Sequence, residues 1–540
     1  MSNTSRLIVA AFFAAGLAGC GGGGGGGNDN DVNGDHLFSY QWHLHNTGQA
    51  GRTGYSATSG EDLNVKALWD SCPAGGCRGE NVLIAVVDDG LEIAHEDLAA
   101  NIAAGKSYDF TGGGAGGDPT PDSSDDSHGT MVGGIIAARD DNGIGVRGVA
   151  SRAKLAGYNL LQNGTSGNTA IAMTHNSAEV AVSNNSWGPT DGTGHLSPSG
   201  ITWREAIEQG LLQGRDGNGT VYIWAGGNGF VDRGGYMDDD SNLDGYANFH
   251  GVIAAAALNA RGKRASYSEP GANILVSGFG GEYCSSDGLT IATTDLSSSR
   301  GLNDGSYSYD LSNQNYTRCM NGTSSAAPTV AGVAALVIQA NPNLTWRDVR
   351  QVLAKSARKN DATDGNWTTN GAGLEYNRQY GFGAADAHAA VNLAKTWANL
   401  GTQKTKEATW TGSVALPTLT FVDQTLDVSS SGISKIEFVE IYVSATHNDT
   451  GELKIELQSP SSANRSLLLP PRNCWQDPVP NGSGGWTISW EPCPDLSDWR
   501  FGSTQQMDEA ADGTWTLRVS NYNSTNAGTL TKFALKIYGH

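Results

Sequence analysis

The chain has 540 residues and a formal net charge of −21, yet only 16% of its residues are charged while 74 are glycine. One hydrophobic core does not grow to that length, so two or more domains are expected, and the apolar content excludes wholesale disorder. Nucleic acid is excluded as a partner, because phosphate neutralisation needs clustered lysine and arginine; the acidic balance favours cationic substrates and bound cations.

The N-terminus reads as a targeting segment. Arg6 supplies a positive charge, and Leu7 to Leu17 form an apolar stretch too short to span a bilayer. It ends in Leu17-Ala18-Gly19-Cys20, which resembles the lipobox of bacterial lipoproteins. That resemblance implies a signal peptide over 1–20, acylation of Cys20, and export from a bacterial cell as an outer-membrane lipoprotein or secreted protein. Residues 21–35 follow as a Gly-rich linker with few side chains to pack. The six remaining cysteines of an exported chain read as disulfides. Fifteen pairings are possible, and sequence proximity favours Cys72–Cys77, Cys284–Cys319 and Cys474–Cys493.

From about residue 80 to 395, apolar runs alternate with helical stretches. Asn81 to Val87, Lys154 to Tyr158, Val180 to Asn184, Val221 to Trp224 and Val252 to Ala257 read as buried parallel strands. Gly129 to Ala138, Trp203 to Leu212, Ala326 to Ala340 and Trp346 to Ala357 read as helices. The alternation predicts an α/β domain with a mostly parallel sheet. After Trp397 the period changes to two, as in Leu453 to Leu457, Trp515 to Val519 and Phe533 to Ile537, which predicts an antiparallel β-sandwich or jelly roll. The expected domains are 36–397 and 398–540.

Three short segments carry the chemistry: Val87-Asp88-Asp89-Gly90, Ser127-His128-Gly129-Thr130 and Gly322-Thr323-Ser324-Ser325-Ala326-Ala327-Pro328. They supply an acid, a base and a nucleophile in one of the orders in which a charge-relay triad is built. A serine hydroxyl needs an adjacent base to attack. Ser324 falls at the start of an apolar helix, where backbone N–H groups favour negative charge. Asp88 ends a buried strand, where open α/β sheets place their sites.

These segments resemble the subtilase family of serine proteases, which implies a subtilisin-like parallel sheet flanked by helices. On that resemblance Asp88 orients the imidazole, His128 is the general base and Ser324 the nucleophile. Asn228, in Trp224-Ala225-Gly226-Gly227-Asn228-Gly229, supplies the oxyanion amide. The finer resemblance, over residues 38 to 540, is to the kexin and furin branch with its P domain. It rests on Asp62-Leu63-Asn64-Val65-Lys66, Ser186-Trp187-Gly188-Pro189, Asp244-Gly245-Tyr246-Ala247-Asn248, Tyr267-Ser268-Glu269 and Gly528 to Phe533.

That branch cleaves after basic residues, often paired. The resemblance implies that Ser186, Trp187 and Gly188 line the cleft. Asp191 and Asp244 would face an arginine before the cut, and Asp89 and Asp125 the basic residue preceding it. It also implies calcium. Asp62, Asp97 and Asn142, with the backbone carbonyls of Arg139, Ile144 and Val146, match one site; Asp191, Asp239 and Glu269 match a second. Oxygen ligands from scattered loops are what this hard cation takes.

Two motifs fail on context. Gly143 to Gly148 fits a dinucleotide fingerprint but follows a helix, and Asp238 to Asn242 lacks the glycine and glutamate of an EF-hand loop. His43 and His45 read as core or surface residues, not zinc ligands. Fewer than about twenty residues precede the catalytic region after Cys20, too few for a folded propeptide, so an external chaperone or unaided folding is expected. The competing readings are a broad-specificity exported protease and a surface adhesin acting through the β domain. An intact triad argues against the adhesin.

Overall fold

The computed structural model describes residues 35–540, apart from 53, 74, 232–236, 286–288, 477–478, 481–485 and 488. Cys20 and the lipobox lie outside the described residues. The central strand β1 (Leu83–Val87) is an unbroken apolar run buried at every position, as a strand covered on both faces requires. Two-residue strands β2 (Tyr108–Asp109) and β3 (Gly114–Ala115) follow, then β4 (Lys154–Tyr158), β5 (Val180–Asn185), β6 (Val221–Ala225), β7 (Val252–Leu258) and β8 (Ile274–Phe279). They form one sheet in the order β3-β2-β4-β1-β5-β6-β7-β8, parallel except at β3. Every strand expected from an apolar run is present, within two residues at each end.

Helices α1 (Val65–Ser71), α2 (His128–Ala137), α3 (Ser166–Thr174), α4 (Ile201–Gln213), α5 (Thr323–Ala340), α6 (Trp346–Ser356) and α7 (Ala387–Thr396) surround the sheet. α5 is apolar on all sides. By length and composition it is able to cross a membrane, but 83% of it is buried in the protein core against β5, β6, β7 and β8.

The β domain is a sandwich of two four-stranded antiparallel sheets. One holds Lys404–Leu416, Gly528–Gly539, Ile436–Thr446 and Leu496–Ser503; the other holds Thr420–Val428, Gly513–Asn521, Leu453–Gln458 and Arg465–Leu469. Alternate residues of Leu453–Gln458 are buried, the pattern of a strand with one face on a core. Polar contacts join the sandwich to the α/β domain. Arg347 of α6 forms a two-pronged pair with Glu437, both side chains under 10% exposed. Arg500 donates to the Gly245 carbonyl at 2.6 Å, and Tyr538 stacks on His250 with ring centres 4.0 Å apart. Disulfides join Cys72 to Cys77, Cys284 to Cys319 and Cys474 to Cys493.

Candidate active site

The site forms where β1, β5 and β6 end, at the carboxyl edge of the sheet, beside β1, the strand at which the order reverses. Asp88 directly follows β1 and is fully buried. Its Oδ1 lies 2.8 Å from His128 Nδ1, which fixes the ring and leaves Nε2 for the cleft. His128 opens α2 one residue earlier than the apolar pattern predicts. Asp89 is the reason: its two carboxylate oxygens accept the N–H groups of His128 at 3.0 Å and Gly129 at 2.7 Å, capping the helix. At Gly129 a Cβ would fall 1.9 Å from the Gly90 carbonyl, so only glycine lets α2 approach the β1 turn this closely.

Burial alone would lower the His128 pKa. The Asp88 carboxylate, its hydrogen bond and the nearby Asp89 outweigh it and push the imidazole up. Burial and the Asp88 charge push Asp89 up to about 8.

Ser324 lies in the first turn of α5, which starts after Gly322 at φ 99°, a conformation that favours glycine. Pro328 stands four residues on and has no N–H for the Ser324 carbonyl. Ser186 Oγ donates to that carbonyl instead, at 3.0 Å, while Ser324 Oγ donates to the Ser186 carbonyl at 3.1 Å. This reciprocal pair holds the serine at the end of β5, with its hydroxyl on the Ser186 carbonyl. Resting enzymes commonly hold a looser geometry than the reacting complex.

Asn228 follows β6. Its Oδ1 accepts from the Thr323 N–H at 2.7 Å and from Thr323 Oγ1 at 2.9 Å, which turns the amide nitrogen toward the cavity, 3.4 Å from Asp191 Oδ2. A preorganised N–H donor beside a nucleophile is the arrangement that stabilises a developing oxyanion.

A cavity of about 60 Å³ adjoins Ser324 and Asn228. Ser186, Trp187 and Gly188 form one wall, and Asp191, Asp239, Asp244 and Glu269 supply carboxylates. Trp187 and Trp203 pack edge to face against Trp224 and Tyr246, which stack on each other, and Trp187 Nε1 donates to the Val87 carbonyl at 3.0 Å. Burial raises the Asp244 pKa, and the neighbouring Asp191 adds to the rise, to about 7. Asp125 stands exposed on the turn before α2, and Asp89 is committed to the helix cap.

Asp191, Asp239 and Glu269 stand together on one side of this cavity. Burial raises all three, and mutual repulsion lifts Asp239 and Glu269 well above the carboxylate range. Their partners are neutral donors: Asn228 for Asp191, the N–H groups of Gly192 and Asp240 for Asp239, and that of Gly229 for Glu269. Among the described residues no lysine or arginine forms an ion pair with any of them. The donor set suits a hard cation. The side chains stand looser than a closed cage, since no three His, Cys, Asp or Glu among the described residues converge as ligands.

The other expected calcium set needs a correction. Asp62 accepts the N–H groups of Asn46 and Asn64, both at 2.7 Å, and its charged neighbours are His45 and Arg358. It is a turn residue and is not among the groups that act on Asp97. Asp35 occupies the place next to Asp97 instead, because the entry segment runs back over the 139–147 loop, with Leu37 N–H on the Gly145 carbonyl at 2.8 Å. Asp97 accepts from Asn142 Nδ2 at 2.7 Å and the Val146 N–H at 3.0 Å, and Asn142 Oδ1 takes the Ile144 N–H. The Arg139 N–H donates to the Asp97 carbonyl. Arg147 already pairs with Asp35 at 2.7 Å, so this cluster is partly neutralised from within.

Sequence reasoning missed Asp35, the hydroxyl role of Ser186, and His195. His195 lines the cavity and reaches Glu491 of the β domain at 3.0 Å. Asp35 and Asp62 both precede apolar stretches, so the sequence does not choose between them, and nothing in it pairs residues 195 and 491. His43 is buried, and desolvation drives its pKa down to about 3. Asp240 pairs with Arg378, and its carboxylate caps the turn at Asn242.

The subtilase family model matches residues 79–383, and the proprotein convertase P-domain model matches 436–537. Neuroendocrine convertase 2 of Drosophila melanogaster is 34% identical over 94% of this chain and 72% of its own length. Furin-1 of Xenopus laevis is 32% identical over 94% of this chain and 58% of its own. A serine protease of Aeromonas sobria, solved in complex with a chaperone, superposes with a TM-score of 0.81 at 30% identity, covering 94% of this chain and 95% of that one. The chain therefore belongs to the subtilase family, as a convertase-type serine protease carrying a P domain.

Proposed function

We propose that this protease cleaves proteins after basic residues, in a calcium-dependent manner, outside the cytoplasm of a bacterial cell. The observation that carries the specificity is the cavity beside Ser324, walled by Asp191 and Asp244. A substrate guanidinium there would form charge-assisted, two-pronged hydrogen bonds in a partly dehydrated site.

The chemistry follows from the same residues. Ser324 attacks the scissile carbonyl as His128 Nε2 takes its proton. Asp88 holds the imidazole and stabilises the imidazolium, and the Asn228 amide receives the oxyanion. His128 returns the proton to the leaving amine, an acyl-Ser324 forms, and water reverses the sequence. Calcium, when bound by Asp191, Asp239 and Glu269, would neutralise those acids and fix the pocket loops. For the other set, Asp35, Asp97 and Asn142 are the residues that would hold the ion.

The three disulfides favour an oxidising compartment. The chaperone complex of the Aeromonas relative supports an external folding partner for this chain too. Refolding the purified, denatured protein alone tests that part.

A peptide panel tests the specificity. Wild type should prefer arginine over phenylalanine before the cut, and Asp244→Asn should reduce that preference by about a hundredfold while sparing hydrolysis of apolar peptides. Equal cleavage after both residues by wild type would leave the broad-specificity reading standing.

The pH profile gives a second check. A raised imidazole pKa means that activity climbs as pH rises through it and the base is freed. Asp88→Asn removes the charge that raises it, so the acid limb of kcat/KM should move to lower pH while kcat falls by about 10⁴. An unmoved acid limb would separate Asp88 from His128.

A further inference from the structure

Tyr267 begins the tripeptide Tyr267-Ser268-Glu269, of which only the glutamate has a role in the reading above. Its side chain is 3% exposed, and its hydroxyl makes two hydrogen bonds in opposite senses. It accepts the Gly322 N–H at 2.8 Å and donates to the Gly281 carbonyl at 2.7 Å. Burial keeps the phenol protonated, so it remains able to donate. Gly322 is the left-handed residue from which α5 and Ser324 start.

The same tripeptide grips the Asn228 loop. The Phe230 N–H donates to the Tyr267 carbonyl at 3.1 Å, and the Glu269 N–H donates to the Gly227 carbonyl at 3.1 Å. The Gly229 N–H donates to the Glu269 carboxylate at 2.8 Å. Ser268 Oγ accepts the Ala257 N–H of β7 at 2.9 Å, anchoring the whole piece to the sheet. One rigid tripeptide thus holds both the loop carrying Asn228 and the turn carrying Ser324.

We propose that Tyr267 is a positioning residue that sets the spacing between the Ser324 nucleophile and the Asn228 amide. It touches neither substrate nor reacting atoms. Without its hydroxyl, the Gly322 N–H and the Gly281 carbonyl are left buried and unpaired, and the turn shifts to find new partners. The Thr323–Asn228 bonds still hold the fold together, so the loss falls on geometry. This inference rests on the assignment of Ser324 and Asn228 made above.

The test is a double-mutant cycle on full-length enzyme, with rates normalised to active sites titrated by phenylmethylsulfonyl fluoride. Tyr267→Phe should lower kcat by about ten- to a hundredfold and leave KM within about threefold, as a misplaced nucleophile does. In an Asn228→Ala background the same change should cost at least about threefold less than in wild type, because the part of its effect that acts through the amide is gone. Equal losses in both backgrounds, or a wild-type kcat in Tyr267→Phe, would overturn the proposal. If Asn228→Ala alone leaves kcat unchanged, the oxyanion assignment has failed, and Tyr267 is judged by the single variant. Should Tyr267→Phe not fold, hydrogen exchange on wild type decides. A Gly322 amide protected at rest and slowed further by the sulfonyl inhibitor supports the strut, and free exchange overturns it.

Discussion

Ser324→Ala is expected to reduce peptide hydrolysis by a factor of about 10⁴ or more, with the folded protein otherwise unchanged. The hydroxyl's hydrogen bond to the Ser186 carbonyl at 3.1 Å is the only one it makes among the described residues, so its loss costs little stability. The reciprocal bond from Ser186 Oγ to the Ser324 carbonyl survives, because it uses backbone. Asn228→Ala is expected to be milder, about 10²–10³ in kcat with KM nearly constant, since the amide matters only once charge develops on the substrate oxygen. It also frees the Thr323 N–H and hydroxyl, which both use Asn228 Oδ1. Steady-state kinetics on a peptide amide, with circular dichroism to establish folding, checks both. A Ser324→Ala variant within tenfold of wild type would remove the acyl-enzyme mechanism.

Stripping calcium at neutral pH is expected to give the largest stability change. An ion at a hundred times its dissociation constant stabilises a protein by about 2.7 kcal/mol per site, so removal should lower Tm by about 3–4 °C per site in a chain of this size. The pH dependence carries the sign. Asp191, Asp239, Asp244 and Glu269 all have raised values in the fold, so the folded state binds more protons than the unfolded one. Their contribution is present below the ordinary carboxylate value of 3.8 and is lost as pH rises, through about 7 for Asp244. Metal-free protein should therefore melt progressively lower from pH 4 to pH 8, and added calcium should flatten that slope. Dialysed protein melted across this range with and without calcium tests it. Identical curves would show that the acids bind no ion that matters.

Much of the α/β domain was legible because its signals are local. An apolar run such as Leu83 to Val87 is a buried strand wherever it lies, and Gly322 can only precede a tight turn. Asp88, His128 and Ser324 each sit at the end of such an element, so chain order alone nearly placed them. What was not legible depends on segments far apart in sequence. Asp35 and Asp62 both precede apolar stretches, and only the return of the entry segment over Gly145 selects the first. The Asp89 carboxylate was expected to face substrate, but two N–H groups at the start of α2 have taken it. The Ser186–Ser324 exchange comes from a proline four residues downstream of the nucleophile, a consequence visible only once β5 and α5 meet.

The pair between Arg347 and Glu437 bears on whether the two domains can be separated. Both charges are buried at the junction, and removing one partner of such a pair typically costs about 3–5 kcal/mol. A chain cut between α7 and the sandwich would leave Arg347 without its carboxylate, and His250 without the Tyr538 ring that covers it. The peptidase half is therefore not a portable module. Any exchange of one β domain for another must carry across a buried carboxylate for Arg347.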